Sequence, residues 1–581
     1  MGLLKKIWDS KLWLLITIGG LFAINWLASL YHTRIDLTNE KRFTLSNATK
    51  KVLNKIDDVV QVDVFLKGDF PSGFKKLANS TEEILQEFKE RAGNKFQYNF
   101  ISPEENVEGT DVRWADTLSA LGLYPINLKS QLKAGEQQQL LYPVALIRYQ
   151  EKVAPVRIYN GSPLISYKEI NSAEALMEFT FADAIYKISQ NEKPLIAYAI
   201  GNGEPSLYEE SGPDSLPVKL NTYDLTYTLR KDYTVFNFNL KTQPLVPDTF
   251  KLLMIVKPTQ EFNDEEKLKI DQFVMRGGKL LMFIDKLSAE MDSLQIKNEV
   301  IAYDRNLQLN DLLFKYGARI NSDLVMDIQS DRLPFDVNGN GQFEFLKWNY
   351  FPIFSSKSNN PVNKNLGFVS GRFVNSIDTV GGREIKSTVL LSTSANGKKL
   401  GTPALITGKE NQSAPDDASF NVPDIPVALL LEGRFSSLFK NRLSQAMMDS
   451  LNKYGAIYMQ QSLKDNKMII VSDGDMVLNN VYKENPLPMG FNPFTIGSQY
   501  EMQFSNRDFL QNSLDYLVNP SGLSEAKAKD YTLRLLDKKE VEEGRTTWQI
   551  INIAAPLLLV SLFGLVFQWT RKRKYTITKN G

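Results

Sequence analysis

The chain has 581 residues, 43% hydrophobic and 23% charged, with a net charge of +1; this balance excludes a wholly disordered polymer. A mean hydropathy of −0.26 excludes a polytopic transporter built mostly of membrane helices. With no cysteine and one histidine, His32, disulfides, Cys-ligated zinc, iron–sulfur clusters and thiol nucleophiles are impossible, and a Ser–His–Asp triad would have to use His32.

Leu12–Tyr31 holds no charged residue, enough chain to cross a hydrocarbon core of roughly 30 Å. Trp13, Trp26 and Tyr31 lie toward its ends, where aromatic belts sit. Trp548–Thr570 is a second uncharged run, followed at once by Arg571, Lys572, Arg573 and Lys574. Charge is partitioned accordingly. Residues 1–31 carry +2, residues 548–581 carry +5, and the stretch between carries −6. Basic ends around an acidic middle fit a membrane protein with both termini cytoplasmic and its bulk outside, and they fit nucleic acid poorly.

Between the spans, Ser46 is placed to cap a short helix to about Ile56. Val60, Val62, Val64 and Leu66 alternate with polar residues, as in a half-buried strand. Residues 71–92 show helical spacing, and Phe96, Tyr98 and Phe100 alternate as a second strand. Residues 111–121 read as a helix, 139–149 and 152–158 as paired strands, and 170–190 as a long amphipathic helix. That β-α-β-α-β-β-α order is a thioredoxin-like layout, without the cysteines of a thiol oxidoreductase.

A second region opens at Lys193. Strands are expected at 194–200, 250–256, 279–284 and 467–471, with helices at 217–230, 264–276 and 505–518. Apolar strands alternating with amphipathic helices indicate a parallel sheet covered on both faces. Residues 328–425 are rich in Asn, Gly, Ser and Pro and read as a loop-rich insertion.

Six segments together carry a resemblance. They are the N-terminal anchor, the RIDLTNEKRFTLS stretch at 34–46, the strand and GNGEP turn at 195–205, FNDEEKLKIDQFVMRGGKLLMFID at 262–285, the DGDMV turn at 473–477, and the C-terminal span. In this order they resemble GldG, the auxiliary, substrate-binding-type component of gliding-motility-associated ABC transporters of gliding and related Bacteroidota. The resemblance implies a partner permease, a separate ATPase subunit, and an outer domain related to the flavodoxin-like glutamine-amidotransferase architecture. Family members often carry histidine in the GNGE turn, where this chain has Asn202.

The expected fold class is α/β. Two transmembrane helices flank an extracytoplasmic region with a thioredoxin-like domain and a flavodoxin-like/glutamine-amidotransferase-like domain. The expected division is a cytoplasmic tail at 1–11, a span at 12–31, the thioredoxin-like domain at 32–190 and the amidotransferase-like domain at 191–520. A charged stalk at 521–547, a span at 548–570 and a basic tail at 571–581 complete it.

The chain contains no P-loop, no GxSxG and no HExxH. Any ATP chemistry therefore belongs to a partner. An amidotransferase needs Cys and His; the chain has no cysteine, and its one histidine, His32, borders the first span. Asp336-Val-Asn338-Gly-Asn340-Gly341 opens like a calcium loop, but position twelve is Lys347, where a glutamate is needed; a polar turn is the other reading. Glu204, Asp285, Asp473 and Asp475 each follow an apolar strand. Ligands of open α/β sheets bind at such carboxyl ends, although Asp also ends strands and caps helices on its own account.

The expectation is thus a non-catalytic, cofactor-free subunit that works with a permease, an ATPase, the lipid bilayer and an envelope ligand. Two rivals remain. A hydrolase requires two carboxylates roughly 5–10 Å apart in a cleft, and a ligand-free scaffold requires no deep pocket at the strand ends.

Overall fold

The computed structural model describes residues 18–26 and 44–576, except 69, 122, 133–134, 160–166, 210–219, 298, 339, 357, 365, 382–383, 409–416, 520, 524–526 and 528–537. Of the expected first span, residues 18–26 are helical and exposed; its other residues, and most of the 34–46 stretch, lie outside the described residues.

Ser46 caps the helix Asn47–Asn54, its hydroxyl accepting the Thr49 amide at 3.1 Å. The strand Val60–Val64 runs parallel to Phe96–Phe100 and antiparallel to Val144–Tyr149, which forms a hairpin with Lys152–Arg157. Val60, Val62 and Val64 are fully buried, as the alternation requires, with Phe74, Leu77 and Phe88 of the helix Ser72–Ala92 and Phe181 and Ile185 of the helix Tyr167–Ser189 in the same core. The expected strand over 139–149 is divided at Pro143. Gly135–Leu141 pairs with Ile126–Leu132 in a separate hairpin, and only Val144–Tyr149 enters the four-stranded sheet. A proline has no amide to give a ladder, which marks the break.

The second region is a seven-stranded sheet. In spatial order its strands are Ile385–Ser392, Pro426–Gly433, Asn466–Val471, Lys279–Phe283, Leu252–Val256, Leu195–Ile200 and Thr234–Asn239. The last five are mutually parallel, and in sequence order they lie second, first, third, fourth, fifth across the sheet. Helices cover both faces. Leu225 and Leu229 of Tyr223–Asp232 and Phe509, Leu510 and Leu514 of Asn506–Val518 share one core. Leu268, Ile270 and Phe273 of Asp264–Met275 share the other with Leu312 and Leu451. Every residue of Leu252–Val256 is fully buried, which is why that segment is apolar without alternation.

Local chemistry sets the helix ends. Asn263 and Glu266 form a reciprocal capping box at 2.9 Å each way, satisfying two otherwise orphaned amides. Gly277, at φ +101°, terminates that helix in a conformation that side chains other than glycine's resist.

The 328–425 stretch carries strands as well as loop. It holds the strands Ser330–Phe335, Glu344–Phe354, Ile385–Ser392, Gly397–Gly401 and Ala404–Thr407, one of which edges the main sheet. Short strands separated by polar turns have the composition of loop, and pattern alone does not separate them. The segment that opens like a calcium loop is a polar turn between the first two of these strands. The Asp336 carboxylate accepts the amides of Asn340 and Gly341 at 3.1 and 3.0 Å, and Lys347 lies within the following strand.

A single helix, Lys538–Thr576, runs through the second half of the expected stalk and the second span. Within it Thr546–Arg573 has a hydropathy of 2.4 and none of its apolar window buried.

Candidate functional site

Strand direction decides where the four predicted acids fall. All lie at the carboxyl edge of the parallel strands, and three of them meet. Ligand oxygens of Asp285, Asp473 and Asp475 lie within 4.8 Å of one another. Asp285 follows Lys279–Phe283 through Ile284, whose amide donates to the Val471 carbonyl at 2.9 Å. The neighbouring strand Asn466–Val471 delivers Asp473 and Asp475 in the turn after it.

The cluster carries its own counter-ion. Lys257, the residue after Leu252–Val256, places its ammonium 3.3 Å from Asp285 Oδ2 and 2.9 Å from Glu290 Oε2, and it donates to Asp475 Oδ1. Its backbone is left-handed, at φ +45°, which aims the side chain across the strand ends. Gly474 is what permits this approach. A Cβ there would lie 2.8 Å from the Lys257 Cβ.

The remaining lone pairs are largely taken by backbone amides. Asp473 Oδ1 accepts from the Asp475 and Met476 amides at 2.8 and 3.1 Å, and its Oδ2 accepts from the Arg372 amide at 3.0 Å. The Gly474 amide donates to Asp285 Oδ1. Asp473 is 0% exposed and Asp285 4%.

Burial, reinforced by the neighbouring carboxylates, pushes Asp473 well above the ordinary range. Burial raises Asp285 to about 6, with Lys257 partly offsetting it. For Asp475 burial acts in the same direction, but the Lys257 charge and hydrogen bond outweigh it and hold the carboxyl low. Lys257 is held above its ordinary value: burial opposes the charge, and Asp475, Asp285 and Glu290 prevail.

Glu204 belongs to a different network. It accepts the Asn202 amide at 2.7 Å within the turn after Leu195–Ile200. Burial raises its carboxyl. Asn202, fully buried, donates through Nδ2 to Glu266 Oε2 at 3.0 Å and to the Glu261 carbonyl at 2.9 Å. Its own carbonyl accepts the Thr259 and Gln260 amides at 2.9 and 2.8 Å. This turn lies at the first and third strands, where the connections diverge and ligands of such sheets bind. Gly203, at φ +81°, leaves no room for a side chain, since a Cβ would lie 2.0 Å from Thr259 Oγ1.

Three carboxylates and an ammonium in close contact can stabilise charge and fix loops. Substrate chemistry needs a group free to exchange partners, and here the ammonium occupies the position where a cation would sit among the carboxylates. The sequence pattern identified the acids; it missed Lys257, Glu290 and Arg305, which donates to Glu290 Oε1. A lysine just past a strand carries no pattern distinguishing it from a solvated charge.

Residues 193–513 match a family described as an ABC-type uncharacterized transport system. Residues 39–148 match a domain of unknown function, DUF7088. A protein of Borreliella burgdorferi is 22% identical over 552 residues, covering 93% of this chain and 94% of its own. Among solved structures, the N-terminal domain of mmIFT52 aligns at 12% identity with a TM-score of 0.29, covering 56% of this chain and 97% of that one. A ThuA-like protein of Parabacteroides merdae aligns at 8% identity with a TM-score of 0.24, covering 60% and 94%.

Proposed function

Given that the chain belongs to the ABC-type uncharacterized transport system family, we propose that it is the non-catalytic auxiliary subunit of such a transporter, of the GldG type and associated with gliding motility. In this reading two helices anchor it in the bacterial inner membrane, with both termini cytoplasmic and the acidic bulk in the periplasm. The four-stranded sheet is its thioredoxin-like module, and the seven-stranded sheet, with parallel strands in flavodoxin order, its amidotransferase-like module.

The observation that carries the non-catalytic part is Lys257. Its ammonium already neutralises the strand-end acids, and the chain offers no cysteine and no histidine but His32, beside the first apolar run, to act with them. Glu204, Asp285, Asp473 and Asp475 are then structural residues that hold the carboxyl edge of the sheet.

Energy and pathway come from partners, because the chain has no P-loop and two helices cannot enclose a path. The helices support that assignment. Asn25 and Asn552 are exposed on them, and an amide facing lipid is costly unless a neighbouring helix receives it.

The test is affinity purification from native membranes in mild detergent. A multi-span permease and a P-loop ATPase are expected with the chain. Replacing both spans with poly-Leu helices of equal length should abolish the association. A chimera that retains both partners in full yield would reduce the spans to tethers, and a wild-type chain recovered alone would defeat the transporter reading.

A further inference from the structure

A cavity of about 820 Å³ borders Lys286, the residue after Asp285. It is formed by the helix Asn310–Tyr316, the segment 319–322 and the loop 437–442. Five lining residues are cations, Lys286, Lys315, Arg319, Lys440 and Arg442, and one is an acid, Asp311. The stretch between the two spans is net acidic, so this is a local reversal of sign.

The acid does not balance the cations. Asp311 Oδ2 is held at 3.0 Å by Lys267, whose side chain is only 7% exposed, while Arg442 stands 3.8 Å away. Arg319 pairs with Asp378 at 2.6 Å. Lys286 donates to the Asn310 side chain and the Ile320 carbonyl at 3.0 Å each and lies 3.7 Å from the Asp304 carboxylate. The Lys440 amide donates to the Ser437 carbonyl at 3.4 Å, but the side chains of Lys315 and Lys440 have no hydrogen bond or ion pair among the described residues. The two lysines without partners stand beside three cations that are only partly neutralised, and an anion placed among them relieves the repulsion.

The wall is also rigid. Asp271, fully buried on the helix Asp264–Met275, accepts the Ser437 hydroxyl at 2.6 Å, the Leu438 amide at 2.9 Å and the Tyr316 hydroxyl at 3.0 Å. One carboxylate thus fixes the 437–438 loop against the 310–316 helix, and the cavity is formed before any ligand arrives.

We propose that this cavity binds a phosphate-bearing ligand. Phosphate offers two or more charges to a cavity with several cations, and its oxygens accept both the planar fork of arginine and the point charge of lysine. The volume is that of a site for a small organic molecule, and Phe314, 55% exposed at its edge, gives the body of the ligand a face to lie on. The inference does not rest on the transporter reading, and either can fail without the other.

The test uses the full chain in detergent and isothermal titration with inorganic pyrophosphate, glucose 1-phosphate and short-chain phosphatidic acid; glucose and short-chain phosphatidylcholine serve as controls. Binding is expected to weaken several-fold when salt is raised from about 0.05 to 0.3 M, and about tenfold or more in a Lys315→Gln/Lys440→Gln variant, where two charge-assisted contacts are lost. Both side chains are exposed, so folding is not at stake; an unchanged melting curve confirms it, and Lys483→Gln is the control for surface charge. Preference for phosphatidic acid assigns the phosphate to a lipid headgroup, and preference for glucose 1-phosphate assigns it to a soluble ligand. Failure of all three probes to bind at about 10 mM, an affinity beyond which recognition is negligible, overturns the proposal. So does equal binding by the controls or by the double variant.

Discussion

At the residue scale, the strand-end cluster is governed by one ammonium. Removing a partner from a buried ion pair leaves uncompensated charge, at a cost of about 3–5 kcal/mol. Lys257→Met should therefore destabilise the chain strongly near pH 7.5. The pH dependence gives the test its sign. Asp285 has a folded pKa raised to about 6 from 3.8, and Asp473 is also raised well above its ordinary value. The folded state thus binds more protons than the unfolded state above pH 4, and stability from these groups grows as pH falls through 6. Asp475, held low, acts oppositely, and its contribution is lost only as pH falls below about 4. The Lys257→Met deficit in melting temperature should then be largest at pH 7.5 and shrink at pH 5, below the raised pKa of Asp285. A deficit of equal size at both would show that Lys257 acts by packing rather than charge. The acids were legible because each ends an apolar run, whereas Lys257 lies 33 positions from Glu290 and 218 from Asp475 in sequence and only the folded sheet brings them together.

At the scale of elements, a second ionic junction ties the four-stranded sheet's long helix to the seven-stranded layer. Lys187, on Tyr167–Ser189, lies 2.9 Å from Asp183, 2.8 Å from Asp232 and 3.1 Å from Asp515. Asp515 also accepts the Tyr233 hydroxyl at 2.9 Å. Lys527 stacks over Phe179 at 4.0 Å and donates to Asn512. Burial raises Asp183 to about 6 even with Lys187 beside it, so its charge depends on that lysine. Lys187→Met should weaken the junction by about 2–4 kcal/mol while leaving both cores packed. Hydrogen exchange should accelerate in 183–189 and 511–518 and stay unchanged in Leu252–Val256. Acceleration in that central strand as well would mean the two layers unfold as one unit, and no acceleration anywhere would mean the junction contributes nothing. The elements themselves were legible to different degrees. Leu195–Ile200, Leu252–Val256 and Lys279–Phe283 announce themselves as apolar runs. Thr234–Asn239 and Ile385–Ser392, which edge the sheet, keep polar residues on exposed positions and resemble loop. Pro426–Gly433 is apolar, but nothing in its composition shows that it enters a parallel sheet backwards.

For the whole molecule, charge and hydropathy together constrain the topology more than either does alone. Thr546–Arg573 is long and apolar enough to cross a membrane, and four consecutive basic residues, 571–574, lie at its end. Anchoring such a tail on the cytoplasmic side is the favoured orientation. The rule weakens across a loop as long as the one between the two apolar runs, so the dense basic cluster after the second run decides the orientation rather than the loop's own charge. If the first run crosses as well, both termini share a side, and the acidic middle and its basic cavity face away from the ATP pool. The chain has no cysteine, so any introduced thiol is unique. Asn340→Cys, in the exposed turn between Ser330–Phe335 and Glu344–Phe354, should react with an impermeant maleimide on intact spheroplasts. Lys579→Cys, in the basic tail, should react only after permeabilisation. The reverse pattern would place the cavity in the cytoplasm. Labelling of both thiols on intact spheroplasts would place the middle of the chain and its C-terminal tail on the same side and show that the second apolar run does not cross.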